Sequence, residues 1–565
     1  MIRGHIEEAV LLARTTRNLR ASQIAHRIRL RAQRFPPSRP LASTIIGLLP
    51  DRARPVVGWP AAFAPLDFQL GEGCPSPEEN AAGRFSFLRD GRDLGTPLRW
   101  DAPGAPRLWT YHLHYMEWAW SFACHPDARW ARDAFAGLWR SWERASTFGR
   151  GDAWHPYVAS LRAWALCGTY ASLVAGTPVQ ADVDASLARH VRFLRWHLEH
   201  DVGGNHLLKN LKALVGLGVF LGDDALVHMA VAQLQRQVGI QVLSDGGHYE
   251  RSPSYHCQVL GDFVDIAALL ETSGRPAVDG LADAVQRMRT WLGVMQMPDG
   301  DVPLFNDCVL VGQARLSLLQ PVPAAPSRLT VLPASGYVVA RPDERLHLVA
   351  DVGDPCPPDL PAHAHADCLS FELAVDGLRL VVDSGTSTYA PGEERARERS
   401  TAAHNTVTVD DVDQTEVWGT FRAARLARAT LEGSDDDGRT IAVVASHDGY
   451  RRLPGAPVHR RTWRVTPGQV EILDQIVGHG EHRIRSQLLL TRAGGCTVTW
   501  SGPPTQRVSE GAGRYATGFG QVHDGHLMSA AWQGRLPVAL GATLHLDGPA
   551  PDAGRVDGGS LTGSP

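Results

Sequence analysis

Residues 363–383 read HAHADCLSFELAVDGLRLVVD, and the second half of this stretch carries the clearest fold signal in the chain. Two apolar runs, 371–375 and 378–382, flank Asp376-Gly377. This dipeptide suits a type I′ turn, which needs positive φ at both positions and matches the twist of two paired strands. The stretch therefore predicts an antiparallel hairpin.

Strand-like segments continue on the C-terminal side of this hairpin. They are short and are separated by turn signals such as Thr466-Pro467-Gly468. Regular short strands of this kind predict an antiparallel β-sandwich, which we place at residues 326–548. The further predicted strands are 406–409, 440–446, 459–465, 470–473 and 483–491.

Helical periodicity dominates the chain before residue 325. Leu207, Leu211 and Leu214 follow helical spacing, and Asp223 is placed to cap the next helix. Many helices with short connections predict antiparallel helix pairs, either stacked or closed into a ring, over residues 61–325. Further predicted helices cover 111–124, 131–145, 160–174, 185–198, 255–271 and 281–297.

The two ends of the chain differ from these domains. Residues 1–60 are predicted to form a basic helical segment, and residues 549–565 a flexible tail. The N-terminal segment lacks the apolar core of a secretory signal, and no stretch is long and apolar enough for a transmembrane helix. We therefore expect the cytoplasm by default, with the periplasm or secretion as alternatives.

The amino-acid composition limits the classes of molecule that this protein could bind. The 565 residues carry a net charge of −4, which argues against nucleic-acid binding. An acidic polymer would need a local basic cleft instead. The eight cysteines include no CxxC pair, which argues against a disulfide scaffold and a cysteine zinc site. The sequence leaves the oligomeric state undetermined.

Imidazoles and carboxylates cluster in and after the quoted stretch. His363 and His365 are two residues apart, so in an extended chain both face one side. With Asp383 and His404 they predict a divalent-metal site or a proton-transfer site. A regular hairpin would place Asp383 about 16 Å along the ladder from His365. We therefore expect the His-rich stretch to curl back as a loop, or a bulge to intervene; a solvated loop is the alternative.

A second candidate cluster lies in the helical part. Asn205-His206 precedes a helix, where simple capping is the alternative role. Residues 245–256, including Glu250 and Tyr255, are Gly-rich and dense in titratable groups, as is typical of loops that line clefts. Core packing or surface charge is the alternative for the other candidates, which are Trp109, His112, Trp154, Arg251 and Arg399.

These motifs occur in the same order as in the heparinase II/III-like polysaccharide lyases, which the chain resembles from about residue 100 to about residue 540. The matching motifs are Asn205-His206, the 245–255 loop, His363-x-His365-x-Asp367, Asp383 and His404-Asn405. The resemblance implies an incomplete (α/α) toroid followed by an antiparallel β-sandwich. It also implies cleavage of uronic-acid polysaccharides by β-elimination.

The resemblance further implies roles for individual residues. Asn205 and His206 would neutralise the uronate carboxylate. Tyr255 would protonate the leaving oxygen and, where both proton transfers occur on one face, also act as base, while His363 would be the base for the other C5 configuration. A divalent metal, zinc or manganese, would be bound by His365, Asp383 and His404. The implied substrate-binding residues are Glu250, Arg251, Trp109, His112, Trp154, Arg399 and Asn405.

Several alternatives stay open on sequence alone. The expected substrates are glycosaminoglycans such as heparan sulfate, chondroitin sulfate or hyaluronan, with alginate or a bacterial exopolysaccharide as the alternative. A toroid glycoside hydrolase would need two acids across the scissile bond, for which Glu250 and Asp367 are available. A non-catalytic protein that binds acidic glycans is the remaining class.

Overall fold

The computed structural model describes residues 2–34, 55–66, 76–323, 327–491 and 496–546. The predicted tail, residues 549–565, lies outside these ranges. Within them, helices dominate up to Leu319 and strands dominate from Leu329 onward. The predicted change from helical to strand structure near residue 325 is therefore confirmed.

The helical half contains all but one of the described α-helices. In chain order these are α1 (Ile2–Arg17), α2 (Ala21–Arg34), α3 (Pro77–Ala81), α4 (Arg107–Tyr115), α5 (Ala119–Ala123), α6 (Ala128–Ala145), α7 (Pro156–Leu173), α8 (Gln180–Trp196), α9 (Gly204–Phe220), α10 (Asp224–Gln241), α11 (Pro253–Thr272), α12 (Leu281–Met295), α13 (Gln313–Leu319) and, in the β half, α14 (Glu393–Arg399). The predicted helix 111–124 is divided between α4 and α5, because Met116 adopts a left-handed conformation after α4.

Two large antiparallel sheets and one separate two-stranded sheet build the β half, and a small hairpin lies in the helical half. The strands are β1 (Arg84–Phe87), β2 (Asp90–Asp93), β3 (Leu329–Leu332), β4 (Tyr337–Ala340), β5 (Leu346–Asp351), β6 (Phe371–Val375), β7 (Leu378–Val381), β8 (Val407–Val409), β9 (Val417–Trp418), β10 (Arg422–Ala423), β11 (Ala429–Asp436), β12 (Ile441–His447), β13 (Val458–Thr466), β14 (Gln469–Val477), β15 (Glu481–Leu490), β16 (Cys496–Ser501), β17 (Arg507–Gly518), β18 (Gln521–Arg535) and β19 (Val538–Leu546).

The two large sheets enclose a common apolar core. One has the strand order β11-β12-β13-β14-β19-β16, and the other has the order β17-β18-β15-β7-β6-β5-β4-β3, with β8 paired to β15. Phe371 and Leu373 of the second sheet share a buried cluster with Ile441 and Trp463 of the first. The apolar faces of both sheets therefore lie inside, which is why strand patterning predicted this half well.

The hairpin that opened the sequence analysis has the predicted turn. Asp376 and Gly377 have φ values of 50° and 83°, as a type I′ turn requires. The ladder shifts register between Leu373 and Ala374, and β6 begins only at Phe371. Both expected departures from a regular hairpin therefore occur, since a bulge intervenes and the His-rich stretch before β6 is a loop.

The helical half is organised around a nearly fully buried helix. Every residue of α9 except His206 is buried, and α9 packs against α7, α10 and α11. An apolar cluster joins this half to the sheets, because Trp291 and Phe305 pack with Tyr337 and Val349. Among the described helices, none combines the length and apolarity needed to cross a membrane.

A buried ionic network ties β13 and β14 of the six-stranded sheet to the loops around His404. Arg461 donates to both oxygens of Asp474, at 2.6 Å and 2.8 Å, and also to the carbonyls of Leu369 and Asn405. His459 contacts the same carboxylate at 2.8 Å. Burial alone would raise the pKa of Asp474, but the charge and hydrogen bonds of Arg461 hold that pKa well below its usual range.

We expect Asp474→Asn to lower the free energy of unfolding by about 3–5 kcal/mol at neutral pH, because it leaves a buried guanidinium without its carboxylate. The folded-state pKa of Asp474 is depressed, so this stabilisation is present above about pH 4 and disappears as the pH falls further. The variant should therefore lose less stability on acidification. Urea unfolding monitored at several pH values measures both effects.

Glu432→Gln is the matched control for this prediction, because it removes a carboxylate from the exposed ion pair with Arg460. Exposed pairs contribute only about 0–1 kcal/mol, so this variant should unfold almost like the parent. Equal losses in the two variants would contradict the role given to the buried network.

Candidate active site

Tyr255 and His363 come from opposite halves of the molecule and stack on each other. Their ring centroids lie 3.8 Å apart, with an interplanar angle of 30°. Tyr255 is in the first turn of α11, where the Ser252 hydroxyl accepts a hydrogen bond from its backbone N–H. The helix start thus fixes the phenol, and the loop before β6 brings the imidazole to it.

The imidazole of His363 lies between two buried carboxylates. Its Nε2 is 3.2 Å from Glu250 Oε2, and its Nδ1 is 3.1 Å from Asp307 Oδ2. Burial alone lowers the pKa of His363, but hydrogen bonds and charge from Asp307 and Glu250 outweigh burial and raise that pKa to about 9. Both ring nitrogens are therefore engaged, and the ring is protonated at neutral pH.

Asp307 is shared by four cationic or polar side chains, one of which is Thr386, whose hydroxyl donates to it at 3.3 Å. Besides His363, its carboxylate contacts His365 Nε2 at 2.9 Å and accepts two hydrogen bonds from Arg395. Burial would raise the pKa of Asp307, but the Arg395 charge and the histidine hydrogen bonds hold it well below its usual range. This carboxylate is therefore ionised and binds the histidine loop to α14.

A second phenol supports Tyr255. The hydroxyl of Tyr389 lies 2.9 Å from the Tyr255 hydroxyl, and the guanidinium carbon of Arg395 lies 4.9 Å from the centre of the Tyr389 ring. Burial and the neighbouring Tyr389 and Asp307 raise the pKa of Tyr255 well above its ordinary value. Tyr255 is therefore a neutral phenol in the resting site, and its proton is shared with another hydroxyl.

Asn205 and His206 lie at the start of α9, opposite the histidine loop. The Asn205 backbone N–H donates to Glu250 Oε1 at 2.8 Å, and Asn205 is only 2% exposed. His206 Nδ1 contacts Glu199 at 3.0 Å, and its side chain is 31% exposed. That these two residues contact a ligand stays a prediction.

Three buried atoms without hydrogen-bond partners converge next to this site. They are Nδ1 of His365, Oδ1 of Asp367 and Nε2 of His404. Ligand atoms of these three residues lie within 4.8 Å of one another. Two imidazoles and a carboxylate suit zinc or manganese, so the residues fit a divalent metal. Burial lowers the pKa of His365 to about 3, which keeps its ring neutral, as a metal ligand must be.

The carboxylate in this group differs from the one that the sequence analysis nominated. Asp383 contacts Nδ1 of His404 at 2.9 Å and accepts from the Ser370 hydroxyl at 2.9 Å. It therefore lies behind His404, where a hydrogen bond to Nδ1 leaves Nε2 as the open nitrogen. Asp367 provides the unpartnered oxygen instead, because the loop before β6 turns it inward.

Two tryptophans that were predicted to shape a cleft belong to the helical core. Trp109 is 1% exposed and donates to the Asp90 carbonyl. Trp154 is 5% exposed and packs on Phe148 and Phe193. The prediction that they bind substrate was wrong, because the apolar area of a tryptophan is as useful in a core as on a sugar.

Two polar candidates in the β half are also structural. Arg399 is buried and donates to the carbonyls of Ala364 and Gly419. The Asn405 amide donates to the carbonyls of Phe371 and Val382, and its oxygen accepts from Leu489. Their hydrogen-bonding groups hold loops together, so the prediction that they bind substrate was wrong.

The remaining candidates, Glu250, Arg251 and His112, contact other residues of the protein. Glu250 is buried with its oxygens on Asn205 and His363, so it organises the site instead of facing a ligand. Arg251, at a φ of 59°, donates to the Asp354 carbonyl. His112 is half-buried against Phe87 and Tyr115.

Three residues of the site were not predicted from sequence. Asp307, Tyr389 and Arg395 lie outside the motifs, and only the polar pair Asn306-Asp307 within an apolar run offered a signal. Asn306 has a φ of 59° and accepts from the His365 backbone N–H at 2.9 Å. This strained turn presents the Asp307 carboxylate to both histidines.

Two family models match this chain. The model described as "Heparinase II/III N-terminus" matches residues 100–320. The model described as "Heparinase II/III-like, C-terminal" matches residues 324–538. Together the two matches cover both the helical half and most of the β half.

Curated relatives and solved structures are similar to this chain over parts of their length. "FtsZ-localized protein C" of Caulobacter vibrioides is 29% identical over 65% of this chain and 64% of its own length. "Heparin-sulfate lyase" of Bacteroides stercoris is 25% identical over 49% of this chain and 44% of its own. The chain thus spans less than two thirds of either relative. The solved structure "Crystal Structure of Heparinase III" is 17% identical, covers 86% of each chain and has a TM-score of 0.72, which shows a shared fold.

We expect added zinc or manganese to raise the melting temperature of the metal-depleted protein. At a hundredfold excess over the dissociation constant the stabilisation would be about 2.7 kcal/mol. Asp367→Asn and His404→Ala should abolish the shift, and Asp383→Asn should weaken affinity about 10- to 100-fold through His404. His526→Ala, at an exposed histidine of β18, is the control and should shift like the parent. A normal shift in Asp367→Asn together with none in Asp383→Asn would favour the ligand set predicted from sequence.

Proposed function

Because this chain belongs to the heparinase II/III-like family, we propose that it is a polysaccharide lyase that cleaves uronic-acid polymers by β-elimination. The observation that carries the proposal is the stack of the Tyr255 phenol on a His363 ring held between Glu250 and Asp307. This stack places a proton-transfer group, the Tyr255 phenol, beside the fixed positive charge of His363. A β-elimination that removes the proton α to a carboxylate requires both.

The first demand of the reaction is to weaken the C5–H bond of the uronate. That proton is a poor acid while the adjacent carboxylate keeps its full negative charge. The side-chain amide of Asn205 and Nε2 of His206 are the polar groups we assign to that carboxylate. Hydrogen-bond donors at a developing enolate typically contribute a factor of about 10²–10³ to the rate.

The second demand is proton transfer, and Tyr255 is the group we assign to it. Its hydroxyl lies 2.9 Å from the Tyr389 hydroxyl. Tyr255 can give its proton to the leaving oxygen and take up the C5 proton in exchange, so the phenol is regenerated. His363 as the base for the other C5 configuration stays a prediction. Both of its ring nitrogens contact carboxylates, so that role requires one of those contacts to open.

His365, Asp367 and His404 are the residues we propose to hold a divalent metal. When bound, the metal would supply positive charge and would link the histidine loop to the segment that carries His404. The protein itself provides the second link, because Asp307 joins His365 to His363. We therefore assign the metal group a positioning role for the His363 ring.

Charge around the site bears on the choice of polymer. Three guanidiniums near the site already donate hydrogen bonds to protein acceptors, which makes them less available to a sulfate group. They belong to Arg251, Arg395 and Arg399. We therefore expect glycosaminoglycans with little or no sulfate, such as hyaluronan or unsulfated heparosan-type chains, to be better substrates than heavily sulfated ones. Alginate or a bacterial exopolysaccharide is the alternative uronate polymer.

A panel of these polymers tests the proposal. A lyase generates the ultraviolet absorbance of an unsaturated uronate at the new non-reducing end. A hydrolase would release reducing ends without that absorbance, and a glycan-binding protein would produce neither signal while still retaining polymer. Reducing ends alone, or retention alone, would each replace the lyase assignment by the corresponding class.

We expect Tyr255→Phe to abolish the absorbance signal on the best polymer, because the phenolic proton is lost while the ring still stacks on His363. Asn205→Ala should lower kcat about 10²- to 10³-fold. Tyr515→Phe is the matched control, since Tyr515 stacks on His523 in the hairpin formed by β17 and β18, outside the site. Full activity of Tyr255→Phe would contradict the assignment of this residue.

A further inference from the structure

We propose that α2 is a positioning element that holds the two halves of the site together. Two segments lead into the site: the Asn205 turn (residues 197–203) and the His363 loop (residues 354–362). The side chains of α2 and of the residue before it contact both segments. The kinetic part of this inference rests on the proposed lyase function, whereas its structural part does not.

Contacts at the N-terminal end of α2 hold the His363 loop. Arg20 Nε lies 2.8 Å from Asp359 Oδ2. The Gln23 amide donates to the Asp359 backbone carbonyl at 3.1 Å, and Gln23 is only 6% exposed. Charge and backbone hydrogen bonding therefore converge on one residue, four positions before His363.

Contacts further along α2 hold the Asn205 turn. Arg27 Nε lies 3.8 Å from Asp201 Oδ2, and the His26 ring is 4.9 Å from the His200 ring. Leu30 is 8% exposed, so its apolar surface is covered as well. These contacts are made four and five residues before Asn205.

The spacing of these residues explains how one helix serves both segments. Positions 20, 23, 27 and 30 recur at helical intervals, so they share one face. Seven residues of helix separate Arg20 from Arg27, which corresponds to about 10 Å along the axis. A rigid helix thus sets the distance between the two acidic partners, Asp359 and Asp201.

The two segments also touch each other beneath α2. A Cβ added at Gly204 would lie 2.8 Å from the Leu360 side chain and against the Glu250 carboxylate. The first residues of α9 and the His363 loop are therefore in close contact. A shift of either segment moves Asn205 relative to His363, the two sides of the proposed reaction.

α1 anchors this arrangement to the β half. Arg14 pairs with Glu416 at 2.9 Å, and the Asn18 amide donates to the Ala424 carbonyl at 2.9 Å. The Thr15 hydroxyl donates to the Ala423 carbonyl at 3.1 Å. Because α1 is fixed to the β half, the position of α2 relative to that half is also fixed.

The test reverses the charges that α2 presents. The variant Arg20→Glu/Arg27→Glu places carboxylates against Asp359 and Asp201. Charge reversal is used because the deletion of a single exposed ion pair has only a small effect. Hydrogen–deuterium exchange followed by mass spectrometry should show faster exchange in residues 197–206 and 354–365. Arg17→Glu, a single charge reversal at an exposed arginine of α1, should leave these segments as in the parent. Unchanged exchange in the double variant would overturn the proposal.

Kinetics separate positioning from a purely structural role. In the double variant we expect kcat on the best polymer to fall about tenfold, with KM little changed, because small displacements of reacting groups act on the transition state. Adding Asp359→Arg to the double variant should restore slow exchange in the His363 loop and recover part of kcat. Faster exchange with an unchanged kcat would overturn the positioning role. If the parent cleaves no polymer, the lyase proposal fails, and the exchange data alone decide whether α2 holds the two segments.

Discussion

The buried carboxylate of Asp307 is the interaction on which the site depends. It receives His363 and His365 from the loop before β6 and Arg395 from α14, all inside a region with little solvent. A buried anion with such partners is stable only when their geometry is satisfied, so it fixes three segments at once. The stack of Tyr255 on His363 depends on these contacts, because carboxylates at both ring nitrogens prevent the imidazole from rotating.

Glu250, in the helical half, is a second buried carboxylate that fixes the His363 ring. One oxygen receives the backbone N–H at the start of α9, and the other receives His363. The carboxyl has a pKa of about 2, because His363 overcomes the effect of burial, which on its own raises that pKa. The two carboxylates together therefore hold one protonated ring between the halves of the molecule, and the polar edge of Asn205 and His206 faces the same junction.

The sequence predicted the parts of this structure that depend on local patterns. The type I′ turn at Asp376-Gly377 and the strands around it follow from side-chain alternation and turn chemistry, which act over a few residues. The cap at Asp223 is equally local. The family match accounts for the rest of the fold, including the connection between the two halves, which no local pattern encodes.

Prediction of individual site residues was less complete, and the reason is burial. Trp109, Arg399 and Asn405 have the chemistry of ligand contacts, but partners distant in sequence cover them. Asp307 was missed because its importance comes from three residues that lie 56 to 88 positions away. Asp367 and Asp383 are both acidic and close in sequence, and only the orientation of the loop before β6 distinguishes the open oxygen from the supporting one.

The long-range pairing of α1 has a consequence for how the protein is made. Arg14 and its partner Glu416 are separated by 402 positions. At ribosomal rates of roughly 5–20 residues per second, about 20–80 s of synthesis pass before that partner emerges. During this interval the α1 helix lacks its docking surface on the nascent polypeptide, and the arginine-rich helix beside it lacks the Asp359 loop. The final docking of α1 on the β half therefore follows synthesis of the segment that carries Glu416.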